Sequence, residues 1–154
     1  MKLSRKSDYA LRALLHLAAA PRETLPVPVR ELAEQNGIPR KFLEAIMREL
    51  REKGIVHSVA GKKGGYRLRR RADDITIGSI LRFFDGHLES FEAEFDDKKA
   101  SPDEPRMLVQ RVLRDIGREV DDLMDNTTLH TLISGAPLRY EITNRETFLD
   151  GGGI

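Results

Sequence analysis

Residues 27–70 decide the fold; they read VPVRELAEQNGIPRKFLEAIMRELREKGIVHSVAGKKGGYRLRR. The first part, residues 29–34, has the pattern of a short helix that ends at Asn36-Gly37, and Gly37 suits the left-handed conformation that closes a helix. Pro39 then suits the first turn of a second helix, where its missing N–H is harmless. Two helices joined by so short a turn indicate a helix-turn-helix motif.

The second helix is expected to bury one face and expose another. Its apolar residues recur at helical spacing, which predicts a single buried face: Phe42, Leu43, Ile46, Met47 and Leu50. Charged residues fall on the other side: Arg40, Lys41, Glu44, Arg48 and Arg51. Gly54 ends the helix. A charged helix face is often only solvated, so this pattern alone leaves DNA binding open.

A hairpin follows the second helix. Residues 55–60 and 66–70 are β-type runs, and the loop 61–65 between them is rich in glycine and lysine. Gly64 and Gly65 tolerate positive φ angles and close approach of a neighbouring backbone. Apolar and arginine residues alternate in the second strand, so one face should pack on the helices while the other is cationic. A helix-turn-helix followed by a basic hairpin predicts a winged helix-turn-helix fold.

Charge is distributed unevenly along the chain. The net charge of the 154 residues is only +1. Residues 1–72, however, hold 17 Lys and Arg against 7 Asp and Glu, which is +10. The remainder holds 9 against 18, which is −9. This asymmetry indicates a basic nucleic-acid-binding part joined to an acidic part.

The sequence lacks the residues that several other classes of function require. The sequence has no cysteine, which excludes disulfides, thiolate metal sites and a thiol nucleophile. The histidines, His16, His57, His87 and His130, are isolated, and no phosphate-binding glycine loop is present. The apolar N-terminus is interrupted by Asp8 and Arg12, so it predicts an amphipathic helix over residues 4–20, not a signal peptide. We therefore expect a cytoplasmic protein that is not an enzyme and has no cofactor.

The second half of the chain predicts a different kind of helix. A short helix from Ile77 ends at Gly86, and the acidic segment 87–105 follows as a loop or fraying helix. From Pro105 to about Asp125 an apolar pattern predicts a helix of about 20 residues, roughly 30 Å long. A second copy of the chain would cover its apolar face, giving a dimer. The residues expected in that interface are Val109, Val112, Leu113, Ile116, Val120 and Leu123.

Three parts follow from this organisation of a mainly α protein with a small β-hairpin wing. Residues 1–72 form the DNA-binding domain. Residues 73–136 comprise a linker helix, the acidic loop, the dimerisation helix and a short closing helix over 129–134. Residues 137–154 form a tail that is expected to be flexible.

An ordered set of residues carries a resemblance to a known family. It comprises Lys6-x-x-Tyr9-Ala10-Leu11, Ile38-Pro39, Phe42-Leu43-Glu44, Leu50-Arg51, Gly54-Ile55-Val56, Gly61-x-x-Gly64-Gly65-Tyr66-x-Leu68 and Ile75-Thr76-Ile77. The set resembles the Rrf2 family of bacterial winged helix-turn-helix transcription regulators over residues 1 to about 134. The resemblance implies a homodimer on a palindromic operator, with a repressor role and a base-discriminating glutamate at Glu44. Many members hold a [2Fe–2S] cluster through cysteines in the segment equivalent to 87–105, and this chain has none. Members also usually have an arginine at the position of Ala60.

The sequence therefore predicts a dimeric, cluster-free DNA-binding regulator. Arg40, Lys41 and Glu44 would read bases or position the helix, while Tyr66 is expected to lie mainly in the core. The full set of expected DNA-binding residues is Lys6, Arg40, Lys41, Glu44, Arg48, Lys62, Lys63, Tyr66 and Arg67. A small molecule or a protein is a further expected partner, as effector. The alternative is a protein-interaction module in which segment 87–105 and the pairs Phe83/Phe84 and Phe91/Phe95 bind a partner and DNA binding is weak or lost.

Overall fold

The computed structural model describes residues 3–24, 26–86 and 104–136. Its helices and strands, in chain order, are α1 (Arg5–Ala19), α2 (Val29–Asn36), α3 (Arg40–Glu52), β1 (Val56–Val59), β2 (Gly65–Leu68), α4 (Ile77–Asp85), α5 (Pro105–Asn126) and α6 (Leu129–Ile133). Short 3₁₀ turns lie at Arg22–Thr24 and Ala72–Asp74. The mainly helical fold with a two-stranded hairpin agrees with the prediction. Most of the acidic segment and the tail lie outside the described residues.

The helix-turn-helix forms as the glycine and proline residues at its helix ends predict. Gly37 closes α2 with a φ of 62° and donates its N–H to the carbonyl oxygens of Ala33 and Glu34. Pro39 precedes α3 as its N-cap, one position earlier than expected. Gly54, with a φ of 68°, follows the end of α3. The turn between the helices is therefore three residues long and fixes the angle at which α3 leaves the core.

The buried face of α3 is narrower than the apolar pattern indicates. Leu43, Ile46, Met47 and Leu50 are fully buried, but the Phe42 side chain is 45 % exposed. The prediction that Phe42 belongs to the buried face is therefore wrong. Its ring lies at the boundary of that face, where the closest aromatic neighbour is Tyr9 of α1.

The hairpin is held against the start of α2. β1 pairs antiparallel with β2 in a register that places His57 opposite Arg67. Tyr66 also forms a bridge with Val27, through two backbone hydrogen bonds of 2.9 and 2.8 Å. Gly65 must be a glycine because a Cβ there would lie 2.6 Å from the Pro28 nitrogen and closer still to the Val27 carbonyl group. The positive φ in the loop, 111°, belongs to Gly61 rather than to Gly64 or Gly65, so the latter pair serve close approach alone.

The hydrophobic core continues past residue 72. Ile75, Ile80 of α4 and Leu129 of α6 are all buried in the same cluster as Leu14 of α1. The boundary predicted at residue 72 does not divide this core. Whether the parts on either side act separately in DNA binding and dimerisation stays a prediction.

Backbone hydrogen bonds join the end of α5 to the start of α4. Ile77 N–H donates to the Thr127 carbonyl at 2.8 Å, and Leu129 N–H donates to the Ile75 carbonyl at 2.9 Å. Nearby, Arg82 forms an ion pair with Asp125. This junction fixes the direction in which the 22-residue α5 leaves the rest of the fold.

Candidate nucleic-acid interface

The exposed side of α3 carries the charged residues that the sequence singled out. Arg40, Lys41 and Arg48 are exposed, and Glu44 lies at the margin of the same surface. Because α3 buries the side that holds Leu43 and Leu50, its opposite side is free for the major groove of DNA, as in other helix-turn-helix proteins. The first turn of α3 therefore presents two cations and a carboxylate to solvent.

Two of these side chains are already paired. The Nε of Arg40 donates to Oε1 of Glu44 at 2.8 Å, one helical turn away. Both side chains remain largely exposed. An exposed pair of this kind stabilises a helix by only about 0.3–0.5 kcal/mol, so its contribution to folding is small.

Lys6 is placed differently from the other expected DNA-binding residues. Its ammonium group lies 2.8 Å from a carboxylate oxygen of Glu49 on α3. The same group sits 5.2 Å from the centre of the Phe84 ring. Lys6 thus joins α1, α3 and α4, and a phosphate contact by Lys6 would compete with Glu49.

The hairpin presents a cationic tip and a mixed outer face. Lys62 and Lys63 are exposed in the loop between the strands, as is Arg67 on β2. The Nε of Arg67 donates to Nε2 of His57 across the strand pair. Tyr66 is partly buried and packs against the core, which matches the expectation that it lies mainly there.

Phe42, which was expected on the buried face of α3, lies near this surface. The Phe42 ring packs edge-on against Tyr9, with 5.6 Å between the ring centres and planes at 88°. This contact holds the first turn of α3 against α1. Helical spacing alone places Phe42 at the edge of the apolar stripe of α3. The position of α1 then determines how much of the ring is covered.

The pairs of phenylalanines behave as structural residues where they are described. Phe83 and Phe84 are partly buried against the core, with ring centres 4.6 Å apart. Lys53 lies 5.2 Å from the Phe83 ring. These contacts give both rings a packing role in the fold. Phe91 and Phe95 lie outside the described residues.

α5 has an outward stripe of large apolar side chains. Val109 is 58 % exposed and Ile116 is 45 % exposed, and Leu108 and Val112 are also exposed on the same side. Leu113, Val120 and Leu123 are partly buried. The side of α5 that faces the protein instead holds Gln110, Gly117 and Met124, all buried. Of the six residues expected in a dimer interface, three are thus exposed and three are partly buried within this chain.

The described residues do not match the donors of an iron site. The sequence has no cysteine, and an iron–sulfur cluster is ordinarily held by thiolates. Among residues 3–24, 26–86 and 104–136, no group of three or more histidine or acidic side chains is arranged to hold a metal ion. No helix in these same ranges is long and apolar enough to cross a membrane.

The helix-turn-helix, the basic wing and the exposed face of α3 together define a DNA-binding transcriptional regulator of the winged-helix class. A family model described as Rrf2, iron-dependent transcriptional regulator, matches residues 3–135. The chain therefore belongs to the Rrf2 family, whose regulators bind DNA and are typically dimeric.

Known proteins support this membership. The chain is 33% identical over 146 residues to the HTH-type transcriptional regulator IscR of Vibrio vulnificus, covering 95% of this chain and 84% of the relative. It is 39% identical over 113 residues to a putative HTH-type transcriptional regulator of Synechocystis, covering 73% and 76% of the two chains. The solved structure of CymR, the global cysteine regulator of B. subtilis, is similar with a TM-score of 0.69 and 30% identity, covering 89% of this chain and 99% of that one. These relatives are named as transcriptional regulators, a class of protein that is generally not enzymatic.

Proposed function

We propose that this protein is a homodimeric repressor that binds a palindromic operator without an iron–sulfur cluster. The observation that carries the proposal is the presence of two separate surfaces on one chain: a basic helix-turn-helix with its wing, and an uncovered apolar stripe on α5. The first surface fits DNA and the second fits another copy of α5. In this proposal residues 1–72 bind DNA and residues 73–136 carry the dimer contact.

The dimer is supported by the length and chemistry of α5. Its 22 residues extend about 33 Å, and exposed apolar residues occur along its first half. A monomer rarely leaves a contiguous apolar stripe in water because burying it is favourable by about 25 cal/mol per Å². A two-fold axis would place the same stripe of two chains against each other. The core of the interface would be Val109, Val112 and Ile116, with Leu113, Val120 and Leu123 at its margin.

A two-fold dimer implies a two-fold operator. Two α3 helices related by such an axis would enter major grooves about one helical turn apart, roughly 34 Å. Arg40, Lys41 and Glu44 would face base edges, and Arg48 would lie further along the groove. Lys62, Lys63 and Arg67 of the wing would contact phosphates or the minor groove. Because its target is chromosomal DNA, the protein would act in the cytoplasm.

The absence of thiolates supports a cluster-free regulator. Without a cluster, the signal would come from a small molecule or a partner protein. The repressor role rests on the resemblance to Rrf2 regulators, and transcription of a template carrying the operator, with and without the protein, tests it directly. Reduced transcription supports repression, and increased transcription would assign the protein as an activator.

The decisive experiment is selection of bound sequences from a random DNA pool at low and physiological salt. We expect a palindrome with half-sites about one helical turn apart. Sedimentation of the free protein should give a dimer at the same concentrations. Binding that selects no sequence and disappears at physiological salt would be non-specific electrostatics, and it would favour the protein-interaction alternative.

A further inference from the structure

We propose that Arg40 and Glu44 act as one composite reader of a G·C base pair or of two adjacent ones, so that Arg40 is a specificity-determining residue. The inference rests on the proposed function, because it assigns bases to the helix that enters the groove. The resemblance to the Rrf2 family places a base-discriminating role on Glu44 alone. Arg40 is expected to face base edges on its own account, and the contact between the two side chains is what joins Arg40 and Glu44 into one unit.

The geometry of the pair leaves its recognition atoms free. Arg40 uses Nε for the 2.8 Å hydrogen bond to Oε1 of Glu44. Neither Nη group of Arg40, nor Oε2 of Glu44, hydrogen-bonds to another residue in the described part of the chain. The pair therefore presents a two-nitrogen donor fork beside a free carboxylate oxygen.

That arrangement is complementary to the major-groove edge of a G·C pair. Guanine offers two acceptors, O6 and N7, which an arginine can bind through both terminal nitrogens. Cytosine offers an amino donor, which a glutamate can accept. An A·T pair also offers an amino donor, on adenine, but its two acceptors, adenine N7 and thymine O4, lie on different bases with that donor between them, and thymine adds a methyl group. A guanidinium held in one orientation by Glu44 also loses less freedom on binding than an unrestrained one.

The pair is close to neutral, which affects non-specific binding. Glu44 offsets the charge of Arg40, so the first turn of α3 attracts phosphates less than its arginine alone would. Removing the carboxylate should therefore strengthen binding to random DNA and make its salt dependence steeper. The same change should weaken binding to the selected operator, since both the acceptor and the restraint on Arg40 are lost.

The test is a double-mutant cycle on the full-length protein, after sequence selection with the unmodified chain. Competition binding measures the preference for each of the four base pairs at every operator position, for Arg40→Ala, Glu44→Ala and the double variant. We expect each single variant to lose about 5- to 150-fold of its preference for G·C, at the same position or at neighbouring ones. The double variant should lose little more than the worse single variant. Circular dichroism checks that each variant is folded.

The chain offers a matched control. Arg30 and Glu34 on α2 form the same type of pair, with Nε and Oε1 2.7 Å apart, outside the recognition helix. Arg30→Ala and Glu34→Ala should change no base preference. If the losses from Arg40→Ala and Glu44→Ala multiply in the double variant, or fall equally on all sequences, the composite reader is refuted while the palindrome remains. If the unmodified protein selects no sequence, the proposed function itself fails.

Discussion

Replacing Gly65 by alanine should destabilise the protein, although alanine is usually the better residue in a strand. Gly65 does not have a positive φ, so without a steric obstacle the change would stabilise the fold by roughly 0.4–1 kcal/mol through the unfolded chain. The obstacle is the backbone of Val27 and Pro28. A new Cβ would lie 2.6 Å from the Pro28 nitrogen, whereas ordinary contact begins at 3.4 Å. The strand must therefore move by close to 1 Å.

That movement would act on the two hydrogen bonds between Val27 and Tyr66, of 2.9 and 2.8 Å. Each such bond contributes about 0.5–1.5 kcal/mol, and forcing an extra carbon into a packed site costs about 1–3 kcal/mol. We expect Gly65→Ala to lower the free energy of unfolding by about 2–3 kcal/mol. For a chain of this size the melting temperature would fall by roughly 4–12 °C.

Urea denaturation followed by circular dichroism measures this change, with calorimetry for the melting temperature. Lys62→Ala is a suitable control, because that exposed loop residue should change stability by less than about 0.5 kcal/mol. A Gly65→Ala protein that is as stable as the original, or more so, would show that the approach of Val27 does not constrain this position.

Three further predictions concern DNA contact, the start of α1 and dimerisation. Lys63→Ala should weaken binding to operator and random DNA alike and reduce the salt slope by about one; an effect confined to the operator would contradict a phosphate contact. Burial raises the pKa of Asp85, but hydrogen bonds from Ser4 and Ser7 outweigh it and leave that pKa below its ordinary value. The ionised carboxylate is thus favoured by folding, and its stabilisation, about 1 kcal/mol for such a hydrogen bond, is complete above the unfolded pKa of about 4 and is lost as the pH falls through the folded pKa. Asp85→Asn should therefore destabilise the protein at pH 7 and converge with the original at low pH in urea titrations; a pH-independent difference would refute this role. Ile116→Glu should shift the protein to monomer in sedimentation and weaken palindrome binding at least tenfold, while Arg114→Glu, on another side of α5, should leave the dimer intact.

Local signals in the sequence determined much of this fold. Gly37, Gly54 and Gly86 mark the ends of helices because a positive φ is a local requirement that glycine meets best. The period of apolar residues also located α3 and α5 correctly, because helical spacing is likewise a local property of the sequence. Such signals depend only on neighbours along the chain.

Contacts between segments that are distant in the sequence could not be predicted from these local signals. The spacing of Arg40 and Glu44 permits their ion pair, but nothing local links Lys6 to Glu49 or Gly65 to Val27. Phe42 lies at the edge of its apolar stripe, and helical spacing cannot show that α1 covers only part of the ring and leaves the side chain 45 % exposed. The residues of the candidate interface could therefore be proposed from the sequence, but most of the contacts that they make within the chain could not.

The junction between α4 and α5 has a consequence for how this regulator can diverge. The bonds at Thr127 and Leu129 join main-chain atoms, so they place few demands on the identity of the side chains around them. Mutations can therefore accumulate on the outward stripe of α5 while the helix continues to leave the fold in the same direction. In the proposed dimer, a duplicated copy of the gene could acquire a stripe that pairs only with itself. Its product would then form no mixed dimers with the parent protein, and the spacing between the two helix-turn-helix units would stay the same.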